Sequence, residues 1–304
     1  MTRRLYIDTS SVMYRAYYAL PTSITDGRKR PINAVHGYLD MTAALVRNRR
    51  PQQVVHVYDA DWRPAERVTA YDGYKAHRLT AEPDDLGPQF DMLEKMLGAF
   101  GMPQAWAEGW EAEDAIGSLC ARATRRDRIE VVTGDRDLIQ LVRDPVVRLL
   151  FTRRGVSELD ELDEAAVLAK YGVSASRYVE FAILRGDPSD GLPGVRGVGE
   201  KTARALVKAY PSLESLVEDA TAPKRTRAIL QRSPSLRARI AEEAAYIASM
   251  RDVVPIRTDL DVEMSEPERD DEGLDRLASR LRLTGPVRRL REALTAARRA
   301  PTGR

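Results

Sequence analysis

Nine acids in this chain recur in settings where a carboxylate can do more than meet solvent. The apolar run Leu5-Tyr6-Ile7 ends in Asp8, and Val54-Val55-His56-Val57-Tyr58 repeats the design before Asp59. Ile129-Glu130-Val131-Val132-Thr133-Gly134 does so again before Asp135, with Asp137 close behind. Glu111-Ala112-Glu113-Asp114 follows Gly109-Trp110, and Asp187-Pro188-Ser189-Asp190 opens a glycine-rich segment. Hard divalent cations such as Mg²⁺ prefer oxygen ligands in octahedral geometry and keep several waters. Two of them roughly 4 Å apart can activate a water and stabilise the leaving oxygen of a phosphodiester. That chemistry needs carboxylates from different segments converging on one spot. Without a cation, such a cluster repels itself and raises some of its own pKa values. Each acid alone also reads as a solvated charge or a helix cap, since Asp and Glu favour helix starts. The joint case rests on three strands that end the same way.

Those acids need elements to position them. The three apolar runs, with Val146 to Phe151 as a fourth, read as strands. Between them lie helical patterns such as Ala34 to Val46 and Ala112 to Ala123. Strands alternating with helices predict an α/β fold with a parallel sheet covered on both faces. In such sheets, sites form beyond the carboxyl ends of the strands, which is where Asp8, Asp59 and Asp135 fall. Residues 72 to 103 read as a long polar excursion from the sheet, of the kind that is often functional. After about residue 170 the pattern turns helical, with helices over 176–185, 200–210 and 226–250. Thr258 to Asp275 is acidic and reads as a solvated connection. Gly285 to Arg304, with six Arg and one Glu, reads as a frayed basic tail, with a specific DNA contact as the alternative.

The most specific string is Leu192-Pro193-Gly194-Val195-Arg196-Gly197-Val198-Gly199-Glu200-Lys201-Thr202-Ala203. Its glycines permit positive φ and close backbone approach. The helix that follows would offer free N–H groups as a phosphate seat, with Lys201 and Thr202 in its first turn. This is the logic of a sequence-independent binder of the DNA backbone, and the turn's carbonyls could also hold a monovalent cation. A plain helix–turn–helix connection is the alternative. The string is not a Walker A loop, and no strand precedes it as in a Rossmann turn. Arg67, Tyr71, Tyr74, Lys75 and Arg78 interleave cations with aromatic rings, which suits a single-stranded or frayed nucleic-acid end, although taken alone the segment reads rather as a solvated helix face.

Composition narrows the class. The chain has 304 residues, 43% hydrophobic and 31% charged, enough for a large domain and a smaller one. Net charge is only +2, so bulk charge does not announce a nucleic-acid partner. Arginine richness reads first as the codon bias of a GC-rich genome, and alone it is poor evidence for phosphate binding. The single cysteine, Cys120, excludes an internal disulfide and a cysteine-based zinc site. His36, His56 and His77 form no ligand pattern. No apolar run approaches ~18 residues, so the expected location is cytoplasmic.

Taken together, these residues resemble the 5′ nuclease family, which includes the flap endonucleases and the 5′–3′ exonuclease domain of bacterial DNA polymerase I. The resemblance runs from Leu5 to about Leu294. It is carried by Ile7-Asp8 with Tyr14-Arg15 and Ala19-Leu20, and by Asp59-Ala60 with Tyr71-x-x-Tyr74-Lys75-x-x-Arg78. Glu111-Ala112-Glu113-Asp114 and Thr133-Gly134-Asp135-Arg136-Asp137-Leu138 add to it, as does Gly186-Asp187-x-x-Asp190-x-Leu192-Pro193-Gly194 running on to Ala203. The chain ends where a polymerase would begin and so looks like a stand-alone nuclease.

The resemblance implies a PIN-like nuclease domain over residues 1–170 with a helical arch at about 72–103. A helical DNA-binding domain over 171–304 would follow, with a helix–two-turn–helix at about 176–210 and C-terminal helices. It implies two or more Mg²⁺ or Mn²⁺ ions: Asp8, Asp59, Glu111 and Glu113 on the first, Glu113, Asp135, Asp137 and Asp187 on the second, with Asp114 and Asp190 nearby. Tyr14, Arg15, Lys75 and Arg78 would grip the scissile phosphate and the 5′ end. Gly194, Gly197, Gly199, Lys201 and Thr202, with Arg67 and Tyr74, would bind DNA, and the turn at 194–199 would often hold K⁺. The expected partner is DNA with a 5′ flap, nick or end, bound by a monomer that works in replication or repair and touches proteins of those processes.

Two departures stand out. Bacterial members usually write Glu-Ala-Asp-Asp where this chain has Glu113, a longer acid that the archaeal and eukaryotic branch also uses. The usual Asp-Gly after the first strand is Asp8-Thr9-Ser10 here. Neither removes an acid, so an active enzyme is expected. The rivals are a catalytically silent relative that only binds branched DNA, and a single-strand ribonuclease on a related sheet, which would lack the glycine hairpin.

Overall fold

Residues 2–80, 83–223 and 227–299 are described by the structure, a computed structural model. The chain begins with β1 (Thr2–Asp8), α1 (Thr9–Ala19), α2 (Asn33–Arg49), β2 (Gln53–Val57), α3 (Ala65–Ala70), α4 (Gly87–Phe100) and β3 (Gln104–Trp106). It continues through α5 (Ala112–Ala121), β4 (Asp127–Thr133), β5 (Val147–Arg154), β6 (Glu158–Leu162) and α6 (Glu164–Tyr171). A helical run follows: α7 (Tyr178–Arg185), α8 (Glu200–Ala209), α9 (Leu213–Thr221), α10 (Ala228–Gln231), α11 (Pro234–Glu242) and α12 (Ala244–Val253). The chain then closes with β7 (Glu263–Ser265), α13 (Asp271–Arg280) and α14 (Thr284–Arg299).

Among the described residues the strands form one seven-stranded sheet in the order β6-β5-β4-β1-β2-β3-β7. The five central strands run parallel, and each edge strand, β6 and β7, is antiparallel to its neighbour. Strand pleating sends alternate side chains to opposite faces. Leu5 and Ile7 enter one apolar cluster, built with α1, α2, α4 and α14. Tyr6 enters the other, built with α5 and the helices after β6. The sheet is therefore covered on both faces, as its apolar strands require. With β1 central and flanked in parallel by β2 and β4, the ends carrying Asp8, Asp59 and Asp135 share one edge.

Three expectations change. First, the excursion over 72–103 is shorter than the sequence implied. A 3₁₀ turn covers Ala76–Thr80, but α4 buries Met92, Leu93, Met96, Leu97 and Phe100 in the sheet's cover. That spacing is an ordinary apolar helix stripe, so α4 is core and not arch. Residues 81–82, in the middle of the expected arch, lie outside the described residues.

Second, residues 258–275 are not a free connection, because β7 adds to the sheet edge beside β3. Third, the basic C-terminal segment is not a frayed tail through Arg299. α14 buries Val287, Leu290 and Ala293 against α2, and Arg289 pairs bidentately with Asp40 at 2.7 and 2.9 Å. Its charges occupy the outer face of an amphipathic helix. The helical run α7–α12 therefore sits between two segments that both belong to the sheet layer. No helix among the described residues is long and apolar enough to cross a membrane.

Candidate metal centre

Each acid is fixed by a local hydrogen-bonding task that also aims it. Asp8 ends β1 and caps α1: one carboxylate oxygen accepts from the Ser11 N–H at 3.1 Å, the other from the Thr133 hydroxyl at 2.7 Å. The strand passes straight into the helix, and Thr9 has no positive φ, so the missing glycine costs nothing here. Asp59 accepts from the Ala112 N–H at 2.7 Å, tying the end of β2 to the start of α5, and from the Ser10 hydroxyl. Asp135 accepts from the Asp137 N–H at 2.9 Å, and Asp187 from the Ser189 N–H at 2.9 Å.

These restraints bring the predicted acids together. Asp8, Asp59, Glu111, Glu113, Asp135 and Asp187 line one cleft of about 810 Å³, with Lys75 and Arg78 on its wall. Oxygens of Glu113, Asp135 and Asp137 lie within 4.8 Å of one another, as do those of Glu111, Glu113 and Asp114. All-oxygen sets of this kind suit hard divalent cations. Asp114 is turned away from the cleft, accepting from Arg67 at 2.8 Å and the Arg257 N–H at 2.9 Å. Asp190 is buried and accepts from Arg78 at 2.7 Å.

The electrostatics match the crowding. Burial, then the charge of Asp59, pushes Asp8 up to about 7. Burial raises Glu113 well above the carboxylate range despite the opposing charge of Arg67, and Glu111, Asp135 and Asp114 add to the rise. Burial and the charges of Asp135, Asp190 and Asp187 do the same to Asp137. Glu111 is the exception: burial pushes it up, but Lys75 and Arg67 together hold it below the ordinary value. A nest that disfavours its own ionisation is one that a cation stabilises.

Two residues expected to contact DNA are elsewhere. Arg67 is only 1% exposed. Its guanidinium contacts Glu111, lies 2.9 Å from Glu113 and 2.8 Å from Asp114, and so serves as an internal counter-charge. Tyr74 is buried as well, and its hydroxyl donates to Glu111 at 2.6 Å. Cation and ring face each other, but underneath the acids. Lys75 contacts Glu111 and lies 3.9 Å from Asp190, while Arg78 also donates to the Ser189 carbonyl at 3.1 Å. Arg15 donates to the Arg153 carbonyl at 2.8 Å, and Tyr14 packs near Phe90 at the cleft.

The glycine turn has the expected backbone with one difference. Gly194 and Gly197 have φ of +68° and +72°, and a side chain on Gly194 would strike the Arg185 carbonyl at 2.5 Å. Gly199 has an ordinary φ of −85° and open space around it. It caps α8, whose first turn carries the exposed Lys201 and the half-buried Thr202.

Sequence reasoning missed the hydroxyls of Thr133 and Ser10, which orient Asp8 and Asp59, and the Ser11 backbone N–H that Asp8 caps. The Asp8-x-x-Ser11 spacing, an N-cap signature, was the available signal. It also missed two exposed aromatic side chains at the cleft, Tyr18 and Trp62.

Comparison with known proteins agrees with this geometry. Residues 3–172 match the family described as 5′–3′ exonuclease, N-terminal resolvase-like domain, and residues 173–276 match 5′–3′ exonuclease, C-terminal SAM fold. A 5′–3′ exonuclease of Streptomyces coelicolor is 41% identical over 308 residues, spanning 96% of this chain and all of the relative. One of Mycobacterium tuberculosis is 40% identical, spanning 95% of this chain and 96% of the relative. DNA polymerase I of Mycobacterium bovis is 42% identical over 72% of this chain but only 24% of the polymerase. Among solved structures, the bacteriophage T5 D15 flap endonuclease, in a pseudo-enzyme-product complex with DNA and metal ions, superposes with a TM-score of 0.65. That likeness has 14% identity over 98% of this chain and 100% of the other. The catalytic core of Rad2 in complex with DNA substrate gives 0.59 at 16% identity, over 97% and 93%. At such identities the structural likeness speaks for the fold alone. The family matches, the full-length relatives and the acids gathered at one sheet edge together establish that this chain belongs to the 5′–3′ exonuclease family.

Proposed function

We propose that this chain is a metal-dependent nuclease that hydrolyses DNA phosphodiesters at 5′ flaps, nicks and 5′ ends. The observation that carries this reading is the convergence of acids from β1, β2, α5, β4 and the 187–190 turn on one cleft beside two cations. Asp8, Asp59, Glu111, Glu113, Asp135, Asp137 and Asp187 would hold two divalent ions, Mg²⁺ or Mn²⁺, with Asp114 and Asp190 supporting from behind. Bound there, such ions supply a nucleophile at neutral pH and charge stabilisation for the leaving oxygen.

The protein's own residues do the rest. Lys75 and Arg78, which contact Glu111 and Asp190, take up the scissile phosphate and stabilise its developing charge. Tyr14 and Arg15 position the strand at the α1 side of the cleft. The α8 N-terminus, with Gly197, Gly199, Lys201 and Thr202, seats a duplex phosphate, and the carbonyls of the 194–199 turn take K⁺. The nuclease unit spans about 1–170 and the DNA-binding helices follow, with β7, α13 and α14 returning to the first unit. A cytoplasmic monomer acting in replication or repair fits these features.

Incubating end-labelled 5′-flap, nicked and blunt DNA with the protein and Mg²⁺ or Mn²⁺ tests the reading. The expected products carry a 5′-phosphate and a 3′-hydroxyl, and Asp135→Ala lowers turnover at least about 100-fold. Absence of cleavage, or cleavage that Asp135→Ala leaves intact, rejects it.

A further inference from the structure

Four large hydrophobic side chains are exposed among the described residues: Tyr18, Trp62, Leu168 and Met264. Single exposed apolar residues are normal and need no explanation. Here, however, both aromatic ones line the cleft that gathers the acids. Tyr18 is 71% exposed and Trp62 39% exposed.

The order of strands puts them on different sides of the acids. Trp62 follows β2, on the Asp59 side of β1. Tyr18 also borders a second cavity of about 900 Å³ that opens from the cleft past Ser11, Tyr14 and Gly134. That cavity reaches Gly155, Val156 and Ser157 beyond β5, on the opposite side of β1. Its volume falls within the range of about 300–1,000 Å³ typical of small-molecule sites. Its wall includes Arg15, whose Nε is buried with no hydrogen-bond partner.

Both rings are presented on fixed backbone. Tyr18 lies in the last turn of α1, edge-on to Tyr17 at 5.2 Å, and Tyr17 donates its hydroxyl to Asp85 at 2.8 Å. The Trp62 loop is closed by the Arg63 N–H on Asp61 at 2.9 Å. Arg63 also clamps the carbonyls of Tyr74 and Asp72, at 2.6 Å each. A rigid, solvent-facing ring beside a phosphate-binding cleft is what base stacking uses, and every base offers a π-face.

Building on the proposed nuclease reading, we propose that Tyr18 and Trp62 are two nucleobase-stacking sites flanking the scissile phosphate. They would take unpaired bases on its two sides, with the Tyr18 base entering the second cavity and its backbone passing Arg15. The enzyme would thereby favour ends and flaps whose terminal pairs are open over fully paired duplex.

Binding to a fluorescent 5′-flap DNA is measured with Ca²⁺ in place of Mg²⁺, so the readout does not depend on turnover. Tyr18→Ala and Trp62→Ala are each expected to weaken binding about tenfold, and Tyr18→Phe and Trp62→Phe to stay within about twofold of wild type. A single abasic residue is then walked along the nucleotides around the scissile phosphate. At one position it costs the wild type about tenfold and Tyr18→Ala nothing more, and at a different position the same holds for Trp62→Ala. Ala variants that bind like wild type, or losses that multiply at every abasic position, overturn the stacking sites while leaving the nuclease reading intact. A wild type that binds flap DNA without cleaving it under Mg²⁺ or Mn²⁺ removes the nuclease reading and leaves the stacking test standing. Failure of the wild type to bind flap DNA overturns both.

Discussion

Arg67 places its Nη2 2.8 Å from Asp114 Oδ1 beneath the carboxylate nest, with a side chain that is only 1% exposed. A cation in that position can contact neither solvent nor DNA. It offsets part of the repulsion among Glu111, Glu113 and Asp114 and pins the start of α5 to α3. Removing one partner of a buried ion pair typically costs about 3–5 kcal/mol. Arg67→Met is expected to lose stability in that range in urea denaturation. Arg67→Lys, which keeps the charge but cannot reach several acids at once, should fall between. A variant as stable as wild type would show that the nest does not need an internal cation.

The same crowding sets a pH dependence. Burial first, then a neighbouring acid, lifts Asp8 to about 7, and burial lifts Asp114 and Asp190 to about 6. Each group holds its proton more tightly in the folded chain than in the unfolded one. Its stabilising contribution is therefore full below about pH 4 and lost as pH rises through 6 to 7. Divalent cations have most to compensate above that window. Thermal denaturation with and without Mg²⁺ should show little shift at pH 5 and a clear rise in Tm at pH 8. An equal shift at both values would refute the link between these acids and the ion.

In the glycine turn, two positions separate structure from contact. At Gly194, with φ of +68°, a Cβ would lie 2.5 Å from the Arg185 carbonyl. Gly194→Ala is expected to cost about 1–3 kcal/mol and to weaken duplex binding through the distorted turn. Gly199 has ordinary backbone and no neighbour within 4 Å. Gly199→Ala should change stability by less than about 0.5 kcal/mol. If duplex DNA seats its phosphate against the α8 N-terminus, that variant still loses affinity; if it binds like wild type, the seat lies elsewhere.

The last helix makes a fourth test. Leu290 is fully buried between α14 and α2, whereas the Arg289–Asp40 pair beside it is more than a third exposed. Leu290→Ala is expected to cost about 2–5 kcal/mol, and Arg289→Ala no more than about 1 kcal/mol. Comparable losses from both, measured by urea denaturation, would mean the helix is held by charge and not by packing.

Much of the site was legible because the acids sit where periodicity changes. Asp8, Asp59 and Asp135 each end an apolar run, and a parallel sheet leaves only one edge for such ends. The alternation that sends Leu5 and Ile7 one way and Tyr6 the other was equally visible. What was not legible depends on burial that residue type disguises. Arg67 and Tyr74 read as a solvent-facing recognition pair, and nothing local says that three acids from another segment close over them. The arginines of α14 hid the stripe of Val287, Leu290 and Ala293. β7 is three residues long, too short for a period to register.

The return of β7 and α14 to the sheet has a consequence for how the molecule comes apart. The helices α7–α12 are spliced into the chain between α6 and β7, so they form a closed excursion and not a terminal appendage. A protease cut at the junction after Tyr171 would leave both fragments clasped, because the second still supplies an edge strand and a covering helix to the first. Heating should likewise melt sheet and helices in one cooperative step, with neither half surviving the other.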